Sequence, residues 1–432
     1  MKILCIDHGS NMLDFALRCM AEDHEVRTFQ SPDKEGGRCR TGNGLIDKVP
    51  NWESSMNWAD LIVLGDNAKY IHALEKYRNK GYPIFGPNIE TSNWELERGT
   101  GQKIFSDNGI PVIPSTQFEN YDKAIEFVRK NKGRYVSKPS GDADKALTYV
   151  SKTPDDMEFM LSHWKKKGKN KSPFILQEFR AGIEFAVGGY FGKNGFSKYF
   201  LENFEHKKLM NDEKGPNTGE SFTIMKYVEN SKLADMVLKP LEGELYRQGY
   251  TGYIDVAVMI DKKGNVNPLE FTTRPGWPLF QIQQVLHPEP CEWMLDMIDG
   301  KDSFEPDTRI AMGAVVAMPP YPSQAFKIED LCGFPVWGID EKNRYWIHPC
   351  EMMAGEGPVN GKWEPMMVSC GTYTMVVSGI GDTVMEACDK VTKRIKDLVF
   401  PNSPIHRTDF GNRVVKQLPE LQALGFAEEW EA

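Results

Sequence analysis

The N-terminal part of the chain alternates short apolar runs with segments of helical periodicity. Lys2–Asp7 precedes apolar side chains at helical spacing, and Leu61–Leu64 and Pro83–Phe85 are further apolar runs. Strands that alternate with helices pair in a parallel sheet, and ligands gather at the carboxyl ends of such strands. The pattern predicts a Rossmann-like parallel α/β domain over residues 1–91.

The composition argues against several other classes of protein. The 432 residues contain 52 Lys plus Arg and 61 Asp plus Glu, so the formal net charge is −9. Affinity for nucleic acid needs many cations, and we therefore expect no nucleic-acid partner. No apolar run reaches about 18 residues, so we expect no membrane span. The eight scattered cysteines include no Cys-x-x-Cys pair, which favours reduced thiols and a cytoplasmic location.

The pattern changes after the N-terminal part. Residues 173–305 contain mostly strand-like runs, with a long apolar helix predicted over residues 279–298, and the tail has short strands and a helix at 383–398. These shifts suggest a second domain over residues 92–305, with a small inserted subdomain at about 115–180. A small β-rich C-terminal domain is predicted over residues 306–432.

A predicted hairpin over residues 252–274 is the most informative segment for function. A turn at Asp261–Gly264 separates two β-rich runs. A two-residue loop pairs Asp255 with Glu270 and a four-residue loop pairs it with Thr272. In both registers the three side chains share one face, whereas a three-residue loop would separate them. Grouped oxygen atoms suit Mg²⁺, although spacing alone also allows a solvated polar face.

The end of this hairpin resembles a known metal-binding signature. The segment Glu270-Phe271-Thr272-Thr273-Arg274-Pro275-Gly276 is similar to the Glu-x-Asn and Arg signature of the ATP-grasp superfamily, with Thr272 where Asn is usual. The resemblance implies that ATP and Mg²⁺ (or Mn²⁺) bind, with Asp255, Glu270 and Thr272 as metal ligands. It implies that Arg274 steadies the transferring phosphoryl group.

Further segments, in collinear order, resemble the phosphoribosylamine–glycine ligase (glycinamide ribonucleotide synthetase) family. The resemblance covers nearly the whole chain and implies an ATP-grasp core of two α+β subdomains. The segments that carry it are Gly101-Gln102-Lys103, Gln177-Glu178-Phe179, Glu205-His206-Lys207-Lys208, Gly215-Pro216-Asn217-Thr218-Gly219, Val377–Thr383 and Arg407-Thr408-Asp409-Phe410-Gly411.

The resemblance implies a role for each matching residue. ATP contacts fall on Lys103, Lys138 and Lys145 near the phosphates, on Glu178 and Phe179 near the adenine, and on Glu184 near the ribose. The implied catalytic residues are Arg274, Lys138 and Asn217. The implied substrate-binding residues are Gly9, His206, Lys207, Asn217, Thr218, Gly219, Arg274 and Gly276.

The departures from the family pattern lie on the side of the amine acceptor. The first loop, Gly9-Ser10-Asn11, lacks the arginine that the family carries there, and Glu220-Ser221-Phe222 stands where the family has Gly-Met-Gly. An arginine that holds a phosphate makes a strong charge-assisted contact. The loss of that arginine therefore leaves the identity of the acceptor open.

The resemblance implies an ATP-dependent carboxylate–amine ligase that works through an acyl phosphate. The leading pair of substrates is glycine and phosphoribosylamine, as in purine biosynthesis. One alternative is a paralogue that joins an amino acid to another amine, and another is an inactive nucleotide-binding regulator. The expected partners are small-molecule substrates, and the chain is expected to be a monomer or a small homo-oligomer.

Overall fold

The fold is described from a computed structural model, for residues 1–32, 39–140, 147–169, 173–323 and 327–432. The N-terminal segment forms a four-stranded sheet in the order β2-β1-β3-β4, and every pair in it is parallel. The predicted parallel α/β arrangement is confirmed. Its elements are β1 (Lys2–Asp7), α1 (Leu13–Ala21), β2 (Glu25–Gln30), β3 (Leu61–Leu64), α2 (Ile71–Arg78), β4 (Ile84–Phe85), α3 (Ile89–Leu96) and α4 (Arg98–Asp107).

A second sheet has a hydrophobic core of its own. Its strands are antiparallel in the order β5-β8-β6-β7, and a buried cluster between Phe118 and Leu176 packs between the sheet and its two helices. Lys145 and the loop predicted around it, residues 141–146, lie outside the described residues. The elements are β5 (Ser115–Phe118), α5 (Tyr121–Lys130), β6 (Tyr135–Pro139), β7 (Tyr149–Val150), α6 (Pro154–Lys166) and β8 (Phe174–Glu178).

The remaining strands form a large sheet and a small one. The large sheet has the order β13-β12-β9-β10-β11-β14-β19-β16, and the small one has the order β15-β18-β17. The strands are β9 (Ile183–Gly192), β10 (Gly195–Met210), β11 (Lys214–Val228), β12 (Gly252–Ile260), β13 (Val266–Thr272), β14 (Ile310–Val316), β15 (Cys332–Pro335), β16 (Ile347–Pro349), β17 (Met352–Val359), β18 (Lys362–Cys370) and β19 (Met375–Gly381).

The helices after residue 230 correct one prediction. The helix expected over residues 279–298 is wrong as a single element, because α9 and α10 are two short helices separated by a segment with two prolines. Proline removes a backbone donor and clashes with the preceding turn, which ends a helix. The helices are α7 (Lys232–Val237), α8 (Glu242–Arg247), α9 (Leu279–Gln283), α10 (Glu292–Asp299), α11 (Val384–Asp397) and α12 (Asn412–Gln422).

The large sheet continues across the predicted limit between residues 305 and 306. Strand β14 pairs with β11 on one side and with β19 on the other. The C-terminal strands therefore extend the sheet that carries the β12–β13 hairpin, and the predicted domain limits remain predictions. Among the described residues, no helix has the length and apolar character needed to cross a membrane.

Candidate active site

The β12–β13 hairpin changes register between its turn and its open end. Next to the turn Ile260 pairs with Val266, but farther along Asp255 pairs with Thr272. A β-bulge between these pairs leaves Leu269 as an extra residue. The bulge restores the register that places Asp255, Glu270 and Thr272 on one face, so this predicted arrangement is confirmed.

The opposite face of β13 explains why these side chains point into a cleft. Phe271 is buried and stacks on Phe105 of α4, with 4.0 Å between the ring centroids. Side chains alternate between the two faces of a strand. Because Phe271 anchors one face to the core, Glu270 and Thr272 must point to the other.

Four charged side chains meet on that face, and we call them the cleft cluster: Glu184, Glu205, Lys207 and Glu270. The ammonium of Lys207 lies 2.7 Å from Glu184, 3.0 Å from Glu205 and 3.8 Å from Glu270. Arg98 approaches Glu270 from α4 at 2.9 Å. Within the described residues, the cleft cluster groups three carboxylates around one ammonium, and such an arrangement suits a further cation.

Lys138 reaches the cleft from β6 of the four-stranded antiparallel sheet. Its ammonium donates a hydrogen bond of 3.0 Å to the carbonyl oxygen of Leu269, the extra residue of the bulge. Burial lowers the pKa of Lys138 to about 8, against the opposing effect of the Glu270 carboxylate. Lys138 therefore carries a positive charge at neutral pH beside the face that holds Glu270.

Asp255 is buried at the back of the cleft. Its carboxylate accepts hydrogen bonds of 3.0 Å from the Asn203 amide and 3.0 Å from the Tyr253 hydroxyl. Burial, reinforced by the nearby Glu205 carboxylate, raises the pKa of Asp255 to about 7. A buried carboxylate with a raised pKa gains most from a cation, so Asp255 fits the role of a metal ligand.

Arg274 is held in place by a carboxylate on α3. Its guanidinium lies 3.2 Å from Glu95, and the second oxygen of Glu95 accepts a 2.8 Å hydrogen bond from the backbone of Thr273. One carboxylate therefore fixes both the side chain and the backbone of this segment. Such support preorganises the positive charge of Arg274.

A cavity of about 100 Å³ joins these groups. Arg274, Lys207, Gly219 and Gly276 line it together with the three predicted metal ligands. Hard oxygen ligands from a buried aspartate, a glutamate and a hydroxyl, with cations beside them, suit a divalent ion and the phosphates of ATP. The residues that line this cavity therefore fit a divalent ion and the phosphates of ATP.

Several predicted nucleotide residues lie outside this cavity. The side chain of Lys103 is 70% exposed and pairs with Asp107. Glu178 pairs with Arg180 at 2.9 Å, and the ring of Phe179 lies 3.6 Å under the guanidinium carbon of Arg134. Their assignment to ATP stays a prediction.

The predicted substrate residues are divided between two faces and an exposed loop. His206 points away from Glu205 and Lys207, and its ring stacks on Phe222 with 3.8 Å between centroids. Asn217 is exposed, while the Thr218 hydroxyl donates a 3.0 Å hydrogen bond to the Lys207 carbonyl. Gly9 is exposed in the loop after β1. The alternation of a strand separates His206 from its neighbours.

Four residues of the site have no predicted role of their own: Arg98 and Glu95 were not singled out, and Glu205 and Glu220 appeared only within longer segments. Strand alternation could have identified Glu205. Asn203, Glu205 and Lys207 are spaced two residues apart on β10, so their side chains point to the same face. Arg98 and Glu95 belong to helices that only the tertiary fold brings to the hairpin. No local pattern marks them.

Comparisons with known proteins agree with this geometry. Residues 100–278 match the family described as phosphoribosylglycinamide synthetase, ATP-grasp (A) domain. The phosphoribosylamine–glycine ligase of Haemophilus influenzae is 25% identical over 451 residues, covering 98% of this chain and 100% of that protein. The enzyme of the same name from Salmonella typhimurium is 23% identical over 439 residues, covering 96% and 99%.

Solved structures confirm the fold. The phosphoribosylamine–glycine ligase of Thermotoga maritima has a TM-score of 0.72 at 19% identity, covering 95% of this chain and 100% of that one. The N5-carboxyaminoimidazole ribonucleotide synthetase of Thermus thermophilus has a TM-score of 0.59 at 13% identity, covering 92% and 98%. Residues 100–278 therefore match the ATP-grasp domain of the phosphoribosylglycinamide synthetase family, and the chain is similar over nearly its whole length to phosphoribosylamine–glycine ligases, the family that its motifs resemble.

Proposed function

We propose that this chain uses ATP to join the carboxylate of glycine to the amine of phosphoribosylamine, as the name of its relatives describes. The observation that carries the proposal is the cleft itself. Glu270, Asp255 and Thr272 share one face, with Arg274 in the same cavity and Lys138 beside it. This combination places oxygen ligands and positive charge where a phosphoryl group can move between two oxygen atoms.

The reaction proceeds in two balanced steps. A carboxylate oxygen of the amino acid attacks the terminal phosphorus of ATP, and the bond to ADP breaks to leave an acyl phosphate. The amine nitrogen then attacks the acyl carbon, phosphate leaves and the nitrogen gives up a proton. Arg274 and Lys138 stabilise the charge of the moving phosphoryl group.

Asp255, Glu270 and Thr272 would hold Mg²⁺ or Mn²⁺, and Lys207 and Arg98 orient the Glu270 carboxylate. A bound divalent ion supplies positive charge next to the ATP phosphates. The Tyr253 and Asn203 hydrogen bonds keep the Asp255 carboxylate turned toward the same face. We place this chemistry in the cytoplasm and in purine biosynthesis.

One observation favours a second candidate, a ligase with a different amine acceptor. At the carboxyl end of β3, the Asp66 carboxylate accepts hydrogen bonds from the backbone of His8 and Ala68. A carboxylate at this edge repels a phosphate group, and the neighbouring Gly9 loop carries no arginine. An acceptor without a phosphate would suit this edge better.

An assay for ADP release decides between these candidates. The protein is given ATP, Mg²⁺ and glycine with phosphoribosylamine, or with a panel of other primary amines. Release that depends on phosphoribosylamine supports the first candidate, and release only with another amine supports the second. ATP binding without ADP release in every mixture would refute both and favour a regulator.

A further inference from the structure

Glu220 is a buried carboxylate that the proposed mechanism does not use. Its side chain lines the cavity, and the residue is only 9% exposed. The Thr223 hydroxyl donates a hydrogen bond to it. Across the described parts of the chain, no Lys, Arg or His forms an ion pair with Glu220. The charges of Lys207 and Arg274 act on Glu220 across the cavity, but neither forms an ion pair with it. Burying a carboxylate without a direct cationic contact is costly, and this cost points to a cationic ligand.

A break in the β10–β11 ladder aims Glu220 into the cavity. His206 pairs with Phe222, but the next pair is Lys208 with Asn217, so four residues of β11 face one residue of β10. This irregular segment, residues 218–221, lies between the two pairs. The break turns Glu220 away from the buried side of Phe222, and both Glu220 and Gly219 line the cavity.

Two hydroxyl groups fasten the irregular segment to β10. The Thr218 hydroxyl donates to the Lys207 carbonyl at 3.0 Å, and the Ser221 hydroxyl donates to the Lys208 carbonyl at 2.7 Å. The Lys208 carbonyl also accepts a hydrogen bond of 3.1 Å from Arg407, so the strand that supports the irregular segment is itself held in place. Glu220 sits on a fixed support, which is what a binding residue requires.

The cavity limits what a cationic ligand can be. Its volume of about 100 Å³ favours a small ligand over a large one. Glu220 and Arg274 share the cavity and carry opposite charges. A small amino acid has the matching pair of charges, a carboxylate and an ammonium group, separated by one carbon.

We propose that Glu220 binds the α-ammonium group of a small amino-acid substrate while its carboxylate is activated beside Arg274. This inference rests on the proposed function, because it assumes that an amino acid is the carboxylate that ATP activates. Glu220 then determines specificity: it lowers the KM for an amino acid relative to a carboxylate of the same size without the ammonium group. Burial raises the pKa of Glu220 well above its usual range, and an ammonium partner would restore the charged form.

The test uses hydroxylamine to trap the acyl phosphate, which makes the readout independent of the natural amine. Hydroxamate and ADP are measured with glycine and with glycolate, where a hydroxyl replaces the ammonium group. In Glu220→Gln we expect the KM for glycine to rise about 10- to 100-fold, the value of a hydrogen bond to a charged group. The KM for ATP and the activity with glycolate should stay unchanged.

Glu202→Gln is the matched control, because Glu202 is likewise a buried glutamate but lies on β10 and bonds Ser231 and Trp430 outside the cavity. It should leave the preference for glycine over glycolate unchanged. An unchanged KM for glycine in Glu220→Gln would overturn the inference, as would an equal loss with glycine and glycolate. If wild-type protein forms no hydroxamate or ADP with any carboxylate, the proposed function fails instead.

Discussion

Two clusters of charged and polar side chains have opposite surroundings. In the interior, Asp14, Arg18, His348 and Ser378 form what we call the sealed network. His348 lies 2.8 Å from Asp14 and 2.7 Å from Ser378, and its side chain is 0% exposed. In the cleft cluster, the side chains of Glu184, Lys207 and Glu270 are 28–30% exposed.

The difference shows why distances alone do not identify an active site. The sealed network has the order of a serine, histidine and aspartate relay, but both ring nitrogens of His348 have partners and Ser378 is fully buried. It ties α1 to β16 and β19. The cleft cluster has more carboxylates than cations and opens into a cavity. Unbalanced charge with access marks function, and balanced charge without access marks structure.

The largest expected effect is at Glu270. Glu270→Gln keeps the size of the side chain but removes the charge that faces the metal position, so ADP formation should fall by about 100-fold or more. The free energy of unfolding should change little, since ion pairs of a partly exposed carboxylate contribute little to stability. Steady-state kinetics and urea unfolding measure both quantities. Glu356→Gln, an exposed change on β17, is the control and should alter neither.

Substitution in the sealed network should have the opposite effect, a loss of stability with little change in activity. His348→Phe leaves Asp14 and Ser378 without their shared partner, so the free energy of unfolding should fall by about 2 to 3 kcal/mol. Arg18 still lies 3.0 Å from Asp14, which limits the loss. The kcat of the folded variant should stay near the wild-type value. A large fall in kcat without loss of stability would contradict the structural role of the sealed network.

Substitution of Arg98 should have an intermediate effect on ATP binding. Arg98→Met removes the guanidinium that lies 2.9 Å from Glu270, while Lys207 still holds the other oxygen at 3.8 Å. We expect the KM for ATP to rise about 10-fold, because the carboxylate loses a cation that orients it. A matched change at an exposed arginine, Arg344→Met, should leave the KM for ATP unchanged.

A substitution at Thr272 is expected to strengthen Mg²⁺ binding rather than weaken it. Thr272→Asn restores the residue that is usual in the ATP-grasp signature, and an amide oxygen is a better metal ligand than a hydroxyl. The Mg²⁺ concentration for half-maximal activity should fall about threefold, a modest change for one neutral ligand. A higher Mg²⁺ requirement would argue against Thr272 as a ligand.

Lys103 should give the smallest effect of the five. Its ammonium is exposed and pairs with Asp107 on the same helix, and exposed pairs of this kind contribute little. Lys103→Met should change the KM for ATP less than about threefold, whereas Lys138→Met should change it far more. Equal effects would show that Lys103 turns into the cleft when ATP binds.

Much of the fold was open to prediction from sequence because it depends on local patterns. The strand at Leu61–Leu64 and the helix near Val384–Asp397 follow from apolar runs and helical spacing. The shared face of Asp255, Glu270 and Thr272 follows from strand alternation, although the bulge at Leu269 that preserves it does not. Next to the turn the hairpin has the register of a three-residue loop, the case that would separate these side chains, because Ile260 pairs with Val266 and the Asp261 amide donates to the Asn265 carbonyl. The bulge then shifts the register and brings them back to one face.

The rest of the site depends on contacts between distant segments. Arg98 meets Glu270 and Glu95 meets Arg274 only because α3 and α4 pack against β13. His206 was grouped with Lys207 by motif, yet a strand sends adjacent side chains to opposite faces. Glu220 reaches the cavity through a break in the ladder that no periodicity announces.

The central claim is that Asp255 and Glu270 hold a divalent ion beside ATP. Its most direct test is a titration of Mn²⁺, followed by electron paramagnetic resonance, in the presence of a non-hydrolysable ATP analogue. Wild-type protein and His348→Phe should bind Mn²⁺ with equal affinity, and Glu270→Gln and Asp255→Asn should bind it at least about 10-fold more weakly. Equal affinity in all four proteins would contradict the account.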